Sequence, residues 1–246
     1  MVAPRKFIIL TAGPVFIYTM SSVQHYNNTL APTQCLELRS AHRVAKRHLI
    51  NAAVTMACGD LASCHVLDLA CGRGGDLPKL LGCASYTGAD TAHVALQELH
   101  RRAAEMGIRV TTYAIDAAEA PTVPCNLALC NFAIHYFCDT RAHCAALLGK
   151  VSACLVPGGV FCGTYQRNIG CVKWGDAFHA IVGDCVDAIE WRVPWNDIVS
   201  MALKEGLALA CHMPLRAIHE GSDYNIWGFI MIQQAPVQRS GTTRTR

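Results

Sequence analysis

The chain has 246 residues, of which 52% are hydrophobic and 16% are charged, and its formal net charge is +3. A chain of this length buries enough apolar surface to fold as one α/β domain without disulfide staples. The small positive charge does not imply a broad non-specific nucleic-acid surface, although it is compatible with a local basic patch.

Fourteen cysteines are scattered along the chain, and no two have the spacing of a CxxC pair. Several lie inside apolar segments, as Cys125, Cys130, Cys154 and Cys162 do. This pattern favours small buried side chains in a reducing compartment over a disulfide scaffold. Since no His/Cys cluster has zinc spacing, we expect no metal.

The two ends of the chain differ from its middle. In residues 1–20, Arg5 and Lys6 precede an apolar stretch like that of a signal peptide, but Gly13 and Pro14 interrupt it. We expect a packed or disordered leader, with a targeting role as the alternative, and not a membrane span. Residues 237–246 are expected to form a disordered basic tail, which leaves 21–236 as a single domain.

Apolar strands alternate with amphipathic helices through the middle of the chain. Such alternation is typical of a mainly parallel sheet with right-handed crossovers. We expect Val94, Leu96, Leu99 and Ala103 to face the core from one of these helices, and Leu77, Leu80 and Leu81 to lie on another. The predicted helices are 34–57, 75–81, 92–106 and 141–154, and the predicted strands are 64–69, 85–90, 109–115, 126–130, 160–165 and 226–232.

The most informative stretch is residues 66–77, where an apolar strand ends in Asp68 and a glycine-rich turn opens the next helix. Glycines there let the backbone approach a nucleotide-like ligand at the carboxyl end of the first strand. Asp90 ends the second strand about twenty residues later, where a carboxylate can hold ribose hydroxyls. This spacing fits either a dinucleotide or S-adenosylmethionine.

Three motifs resemble those of mRNA cap guanine-N7 methyltransferases. Residues 67–79 (LDLACGRGGDLPK) resemble the methionine-binding loop of that family, 131–136 (NFAIHY) resemble its Q-F-x-x-H-Y, and 23–27 (VQHYN) resemble its V-A-x-H-Y-N. Residues 189–195 resemble its P-E-Y-L-V-P-F. The resemblance implies an α/β fold of the Rossmann-like class I S-adenosylmethionine-dependent methyltransferase type, with a mainly parallel seven-stranded sheet and helices on both faces.

The resemblance also implies the roles of individual residues. S-adenosylmethionine, and its product S-adenosylhomocysteine, would be held by Asp68, Gly72, Gly74, Asp76, Asp90, Asp116, Asn131 and Tyr136. The capped guanosine would be held by Arg73, Arg102, Phe132, His135, Tyr136, Glu190 and Trp227, with the two arginines on the triphosphate. For Asp76 the alternative is a cap on its own helix. Guanine N7 carries no proton, so His135, Tyr136 and Glu190 are expected to position the base and not to act as general acid or base.

The chain departs from the family pattern in three regions. Its amino-terminal helix has no lysine in register with the N-N-W-x-K-S run of the family, and Lys46 or Arg47 is a candidate substitute. Ala70 stands where the family loop has glycine. Asn126 stands where the family has the aspartate that starts the fourth strand. A non-catalytic protein is therefore an alternative to an enzyme.

We expect an enzyme that methylates guanine N7 of the 5′ GpppN cap of mRNA. The alternatives are a small-molecule methyltransferase with the same cofactor and a methyltransferase-like, non-catalytic subunit of a capping complex. The expected partners are the capped RNA 5′ end and a guanylyltransferase, triphosphatase or RNA polymerase. We expect a monomer that binds no membrane and is not secreted, located in the nucleus or, if viral, in the host cytoplasm.

Overall fold

The computed structural model describes residues 22–28, 36–168, 170–182, 186–219 and 225–234. Its helices are α1 (Ser22–Asn28), α2 (Leu36–Cys58), α3 (His93–Glu105), α4 (Arg141–Cys154) and α5 (Trp195–Lys204). Its strands are β1 (His65–Leu69), β2 (Ser85–Ala89), β3 (Val110–Tyr113), β4 (Cys125–Asn131), β5 (Leu155–Gln166), β6 (Ala177–Val182), β7 (Val186–Trp191), β8 (Leu207–Pro214) and β9 (Ile226–Gln233). The predicted leader and basic tail lie outside the described residues, so the predicted single domain over 21–236 stays a prediction.

Seven strands form one sheet in the order β3-β2-β1-β4-β5-β9-β8, and β6 and β7 form a separate two-stranded hairpin. The pairs among β1 to β5 are parallel, whereas β9 runs antiparallel to both β5 and β8. This confirms the predicted Rossmann-like class I fold with a mainly parallel seven-stranded sheet. Because β2 and β4 lie on opposite sides of β1, the strand order reverses there and a crevice opens at the carboxyl ends of these strands.

Alternating side chains of the central strands pack into two cores, one on each face of the sheet. Val66 of β1 and Leu127 of β4 pack with residues of α2 and α3, such as Leu49 and Leu99. The intervening residues face the other side, where Leu67 of β1 packs with residues of α4 and α5. Helices therefore cover both faces, as predicted.

The predicted helix over 75–81 is wrong. A single 3₁₀ turn, Leu77–Lys79, follows the glycine loop instead. Pro78 lies inside this turn, and its lack of a backbone N–H removes a donor that an α-helix would need. Leu77 and Leu80 are fully buried, whereas Leu81, which was expected to belong to the same helix, is 59% exposed.

Smaller differences concern α3 and the lengths of two strands. Ala95 is buried in α3 in place of Val94, while Leu96, Leu99 and Ala103 are buried as predicted. The reason is helical phase, since Val94 lies to the side of the stripe that the other residues form. Strand β3 is shorter than predicted, and β5 begins at Leu155, with an irregularity in its pairing to β4 near its start.

The twelve cysteines of the described residues are all free thiols, and eight of them are buried. Within the described ranges, no group of three or more His, Cys, Asp and Glu side chains is arranged to hold a metal ion. None of the described helices is both long and apolar enough to cross a membrane.

Candidate functional site

The loop after β1 turns back through three residues with positive φ. These are Ala70 at 54°, Gly72 at 50° and Gly74 at 68°. Glycine is required at Gly74 for a second reason, since a Cβ there would lie 2.6 Å from Cδ1 of Leu77. The loop thus exposes backbone at the carboxyl end of β1, where the strand order reverses.

Asp90 lies beside this loop, directly after β2. Its Oδ2 accepts a hydrogen bond from the Gly72 N–H at 2.8 Å, and its Oδ1 accepts one from the Ala92 N–H at 2.8 Å. Burial raises the pKa of Asp90 above its usual range. The carboxylate is fixed by backbone donors, and each oxygen keeps a lone pair for a further donor.

Asp76 is the centre of a buried polar network and does not cap a helix, which corrects the alternative drawn from the sequence. Its Oδ1 lies 2.8 Å from Lys46 Nζ and 2.7 Å from Lys79 Nζ, and its Oδ2 accepts a hydrogen bond from Asn131 Nδ2 at 2.9 Å. Burial alone would raise the pKa of Asp76, but the two ammonium groups outweigh it and lower the pKa to about 2. Asp76 is therefore ionised.

Asp68 lies near Asp76, and its pKa is shifted in the opposite direction. Its Oδ2 accepts a hydrogen bond from the Tyr86 hydroxyl at 2.8 Å. Burial, followed by the nearby Asp76 charge, raises the pKa of Asp68 to about 7. Two carboxylates with separated pKa values thus face one crevice.

Asn131 supplies an acceptor that the fold leaves unused. While its amide nitrogen binds Asp76, its Oδ1 is buried and has no hydrogen-bond partner among the residues that the structure describes. An orphaned acceptor close to carboxylates is suited to a ligand that carries positive charge and N–H donors.

Lys46, and not Arg47, reaches this crevice from α2. The Lys46 ammonium pairs with Asp76 and lies 5.4 Å from the centre of the Phe132 ring, whereas Arg47 is exposed. Of the two candidate substitutes for the family lysine, Lys46 is therefore the one that lies at this crevice.

Asp116 follows β3 and begins the 3₁₀ turn Ala117–Glu119. Its Oδ1 accepts the Ala118 N–H at 2.8 Å, and its Oδ2 lies 3.2 Å from Nε2 of His143 in α4. The side chain of Asp116 is 32% exposed, so a ligand can reach it.

His135, Tyr136 and Glu190 come together although the last lies more than fifty residues from the others in sequence. The Tyr136 hydroxyl donates to Glu190 Oε1 at 3.1 Å, and His135 Nε2 lies 3.4 Å from the same oxygen. Both ring nitrogens of His135 are buried, and neither makes a hydrogen bond of good geometry with any residue that the structure describes. Burial alone would raise the pKa of Glu190, but His135 and Tyr136 hold it below its usual range.

The hairpin of β6 and β7 carries Glu190, and the short helix α1 covers it. Helix α1 packs against β7 and α3, and Asn27 Oδ1 accepts the Val94 N–H at 3.1 Å. His25 of α1 is buried near Glu190. The amino-terminal motif therefore lies beside the Glu190 cluster.

The remaining predicted residues lie in three places. Arg73 and Arg102 adjoin each other, since Arg102 Nη1 donates to the Arg73 carbonyl oxygen at 2.9 Å. Phe132 has a φ of 55°, and its ring centre lies 5.4 Å from that of His42, with the two rings tilted by 30°. Trp227 belongs to an aromatic cluster with Tyr165, Trp195 and His212, and the Arg167 guanidinium lies 4.2 Å from its ring centre.

Sequence reasoning gave no role to Tyr86, Lys79, Arg167 or His143. Two of these residues carried a local signal. His143 follows Asp139 by four residues at the start of a helix, with its Nδ1 2.7 Å from Asp139 Oδ1, and Lys79 follows Asp76 by three residues. Tyr86 and Arg167 make their contacts with other strands.

Comparison with known proteins identifies a protein family whose model matches this chain. The model described as mRNA (guanine-N(7))-methyltransferase domain matches residues 18–173. The chain is 28% identical over 198 residues to mRNA cap guanine-N(7) methyltransferase 1 of Arabidopsis thaliana, which covers 58% of the chain and 53% of that protein. It is 26% identical over 204 residues to the Candida glabrata mRNA cap guanine-N(7) methyltransferase, covering 61% and 49%. The matched region thus spans about half the length of these relatives.

Solved structures agree on the fold. An S-adenosylmethionine-dependent methyltransferase from Clostridium acetobutylicum superposes with a TM-score of 0.60 at 14% identity, over 79% of this chain and 92% of that one. Magnesium protoporphyrin IX methyltransferase from Synechocystis, with bound SAH, gives a TM-score of 0.62 at 14% identity, over 85% and 91%. At this identity the likeness shows the fold alone.

Proposed function

The chain belongs to the mRNA (guanine-N(7))-methyltransferase family, and from that membership we propose that it transfers the methyl group of S-adenosylmethionine to guanine N7 of the 5′ GpppN cap of mRNA. One observation carries the proposal. Segment 131–136 reaches two sites, because Asn131 binds Asp76 in the acidic crevice while Tyr136 binds Glu190 in the buried cluster. A cofactor pocket and a base pocket would therefore share one wall.

The residues of the crevice fit S-adenosylmethionine. Asp90 would accept the ribose hydroxyls, Asp116 the adenine amino group, and the unused Asn131 Oδ1 the α-ammonium group. The backbone of Gly72 and Gly74 allows close approach, and Lys46 would pair with the carboxylate of the amino acid. When bound, this cofactor supplies an electrophilic methyl group on a positively charged sulfur.

Glu190, Tyr136 and His135 would hold the guanine. The Glu190 carboxylate, held ionised, accepts two parallel hydrogen bonds from N1–H and the amino group of guanine. Nδ1 of His135, which is buried and has no hydrogen-bond partner among the described residues, can donate to O6. Because N7 needs no deprotonation, alignment of the two substrates supplies the acceleration, and such alignment is worth roughly 7–11 kcal/mol.

The triphosphate would follow the adjoining arginines Arg73 and Arg102. Phe132 and Trp227 offer aromatic faces to the base or to its neighbour. We also propose that the protein acts inside the cell, since the described cysteines are free thiols. A guanylyltransferase, a triphosphatase or an RNA polymerase would be its partner in capping.

A single assay tests the proposal. The protein is incubated with S-adenosylmethionine labelled in the methyl group and with RNA capped with GpppA or GpppG, and the digested RNA is searched for labelled m⁷G. Label in m⁷G is the expected result. Cofactor binding without RNA methylation would point to a small-molecule substrate, and absence of both would point to a non-catalytic subunit.

Replacement of Glu190 separates the two pockets. We expect Glu190→Gln to lower kcat/KM for capped RNA at least about a hundredfold, because a buried acceptor for two donors becomes a donor itself. Affinity for S-adenosylhomocysteine should stay near the wild-type value. Asp187→Asn, at an exposed end of the same hairpin, is the matched control. Loss of cofactor affinity in Glu190→Gln would contradict the assigned role.

A further inference from the structure

His143 of α4 bridges two carboxylates at the adenine end of the proposed cofactor pocket. Its Nδ1 lies 2.7 Å from Asp139 Oδ1, and its Nε2 lies 3.2 Å from Asp116 Oδ2. No part of the proposed reaction uses this histidine, and the family motifs do not include it. Its side chain is 27% exposed, so it is not a core residue held by packing alone.

The bridge has a defined protonation pattern. Carboxylates only accept hydrogen bonds, so both ring nitrogens of His143 donate, which requires the imidazolium form. Burial alone would lower the pKa of His143, but Asp139 and Asp116 together hold it above its ordinary value. The Phe137 ring packs edge-on at 5.1 Å, and Thr140 Oγ1 accepts the His143 backbone N–H, so the imidazolium is fixed from several sides.

These contacts orient the Asp116 carboxylate completely. Oδ1 accepts from the Ala118 backbone and Oδ2 accepts from His143, so the carboxylate plane has two anchors on two different elements. One lone pair on each oxygen remains available. With a third of the side chain exposed, those lone pairs are open to a ligand.

We infer that His143 is a positioning residue that holds Asp116 for the 6-amino group of the adenine and thereby makes the cofactor pocket selective for adenosine. The inference rests on the proposed function, since it assumes the adenosyl cofactor. It goes beyond that function by naming the group that sets base selectivity. His143 itself need not touch the ligand.

The experiment compares two ligands by calorimetry with the intact protein. One is S-adenosylhomocysteine, and the other is its analogue in which purine replaces adenine and the 6-amino group is absent. Wild-type protein should prefer the adenine compound about tenfold, as the loss of one hydrogen bond to a charged acceptor implies. His143→Ala should reduce that preference to about twofold, by weakening the adenine compound and leaving the purine compound unchanged.

Two further variants complete the test. Asp116→Ala should abolish the preference, and adding His143→Ala to it should change nothing more, because both act through one contact. His179→Ala is the matched control, since His179 forms an exposed pair with Asp187, 2.6 Å apart, away from the crevice. Equal weakening of both ligands in His143→Ala, or an undiminished preference, would overturn the inference. Failure of the wild type to bind either ligand would instead overturn the proposed function.

Discussion

Ala70 adopts a left-handed conformation, with φ at 54°, in a loop whose neighbours with positive φ are glycines. This conformation costs a residue with a Cβ about 1–2 kcal/mol, whereas glycine adopts it without steric strain. Replacement by glycine also raises the conformational entropy of the unfolded chain, which lowers the free energy of unfolding by about 0.4–1 kcal/mol. Ala70→Gly should therefore raise the free energy of unfolding by up to about 1 kcal/mol in urea denaturation.

A matched control for Ala70 is available in a helix. Ala52 lies exposed in the middle of α2, where glycine is about 1 kcal/mol worse than alanine. Ala52→Gly should lower the free energy of unfolding. If the two variants shift stability in the same direction, the strain assigned to Ala70 is absent.

The titration of Asp68 makes the free energy of unfolding depend on pH. Its pKa is raised to about 7 in the folded protein, from 3.8, chiefly by burial. Between these values the folded state holds a proton that the unfolded state has lost, so stability falls as pH rises from about 4 to about 7. Asp68→Asn cannot titrate, and its free energy of unfolding should decline less steeply over this range. Asp176→Asn, at an exposed position, should follow the wild-type slope.

The family resemblance proposed His135, Tyr136 and Glu190 for the candidate base cluster, because the motifs that contain them are local in the chain, and the structure brings these three side chains together. The sequence left Lys46 and Arg47 as alternatives. Only the packing of α2 decides between them, since it directs Lys46 to Asp76 and leaves Arg47 exposed. The sequence also did not predict the partners of Asp68 and Asp116, because Tyr86 and His143 lie on other elements.

At the scale of elements, β5 tolerates no side chain at Gly163. A Cβ there would overlap the Cys130 carbonyl oxygen of β4 and lie 2.7 Å from Cζ of Phe229 in β9. Since both contacts belong to paired strands, the sheet cannot relax without moving a neighbour. Gly163→Ala should lower the free energy of unfolding by about 1–3 kcal/mol.

The control for Gly163 is a helical glycine with space around it. Among the described residues, a Cβ on Gly149 of α4 would have one neighbour within 4 Å, Glu205 Oε2 at 3.8 Å. Gly149→Ala should therefore stabilise the protein by about 0.5–1 kcal/mol. Circular dichroism during denaturation measures both variants, and a neutral Gly163→Ala would contradict the packing described for β5.

Sequence patterns predicted these elements unequally. Helix α4 was predicted with the bounds that the structure has, because its apolar spacing and its Thr140 cap are both local. The helix over 75–81 failed because Leu77, Leu80 and Leu81 gave a helical pattern that Pro78 and the glycine loop overrule. The hairpin of β6 and β7 was not predicted, since it pairs only with itself and lies outside the main sheet.

At the scale of the whole molecule, pairing in the sheet predicts how hydrogen exchange is distributed. Strands β1 and β4 have neighbours on both sides and buried side chains on both faces, whereas β6 and β7 have only each other. Amides of β1 and β4 should exchange more slowly than those of the hairpin in mass-spectrometric measurements. Saturating S-adenosylhomocysteine should slow exchange in residues 70–76, and an unchanged loop would contradict a cofactor site there.

The sequence by itself determined the fold class, through the periodicity of its apolar segments, and the family resemblance, through the residue identities of a few short motifs. Tertiary structure alone decided which charges meet. The pairing of Lys46 with Asp76, of Tyr86 with Asp68 and of His143 with Asp116 joins elements that are distant in sequence. Burial of those groups then sets their pKa values, and burial is a property of the assembled sheet and helices.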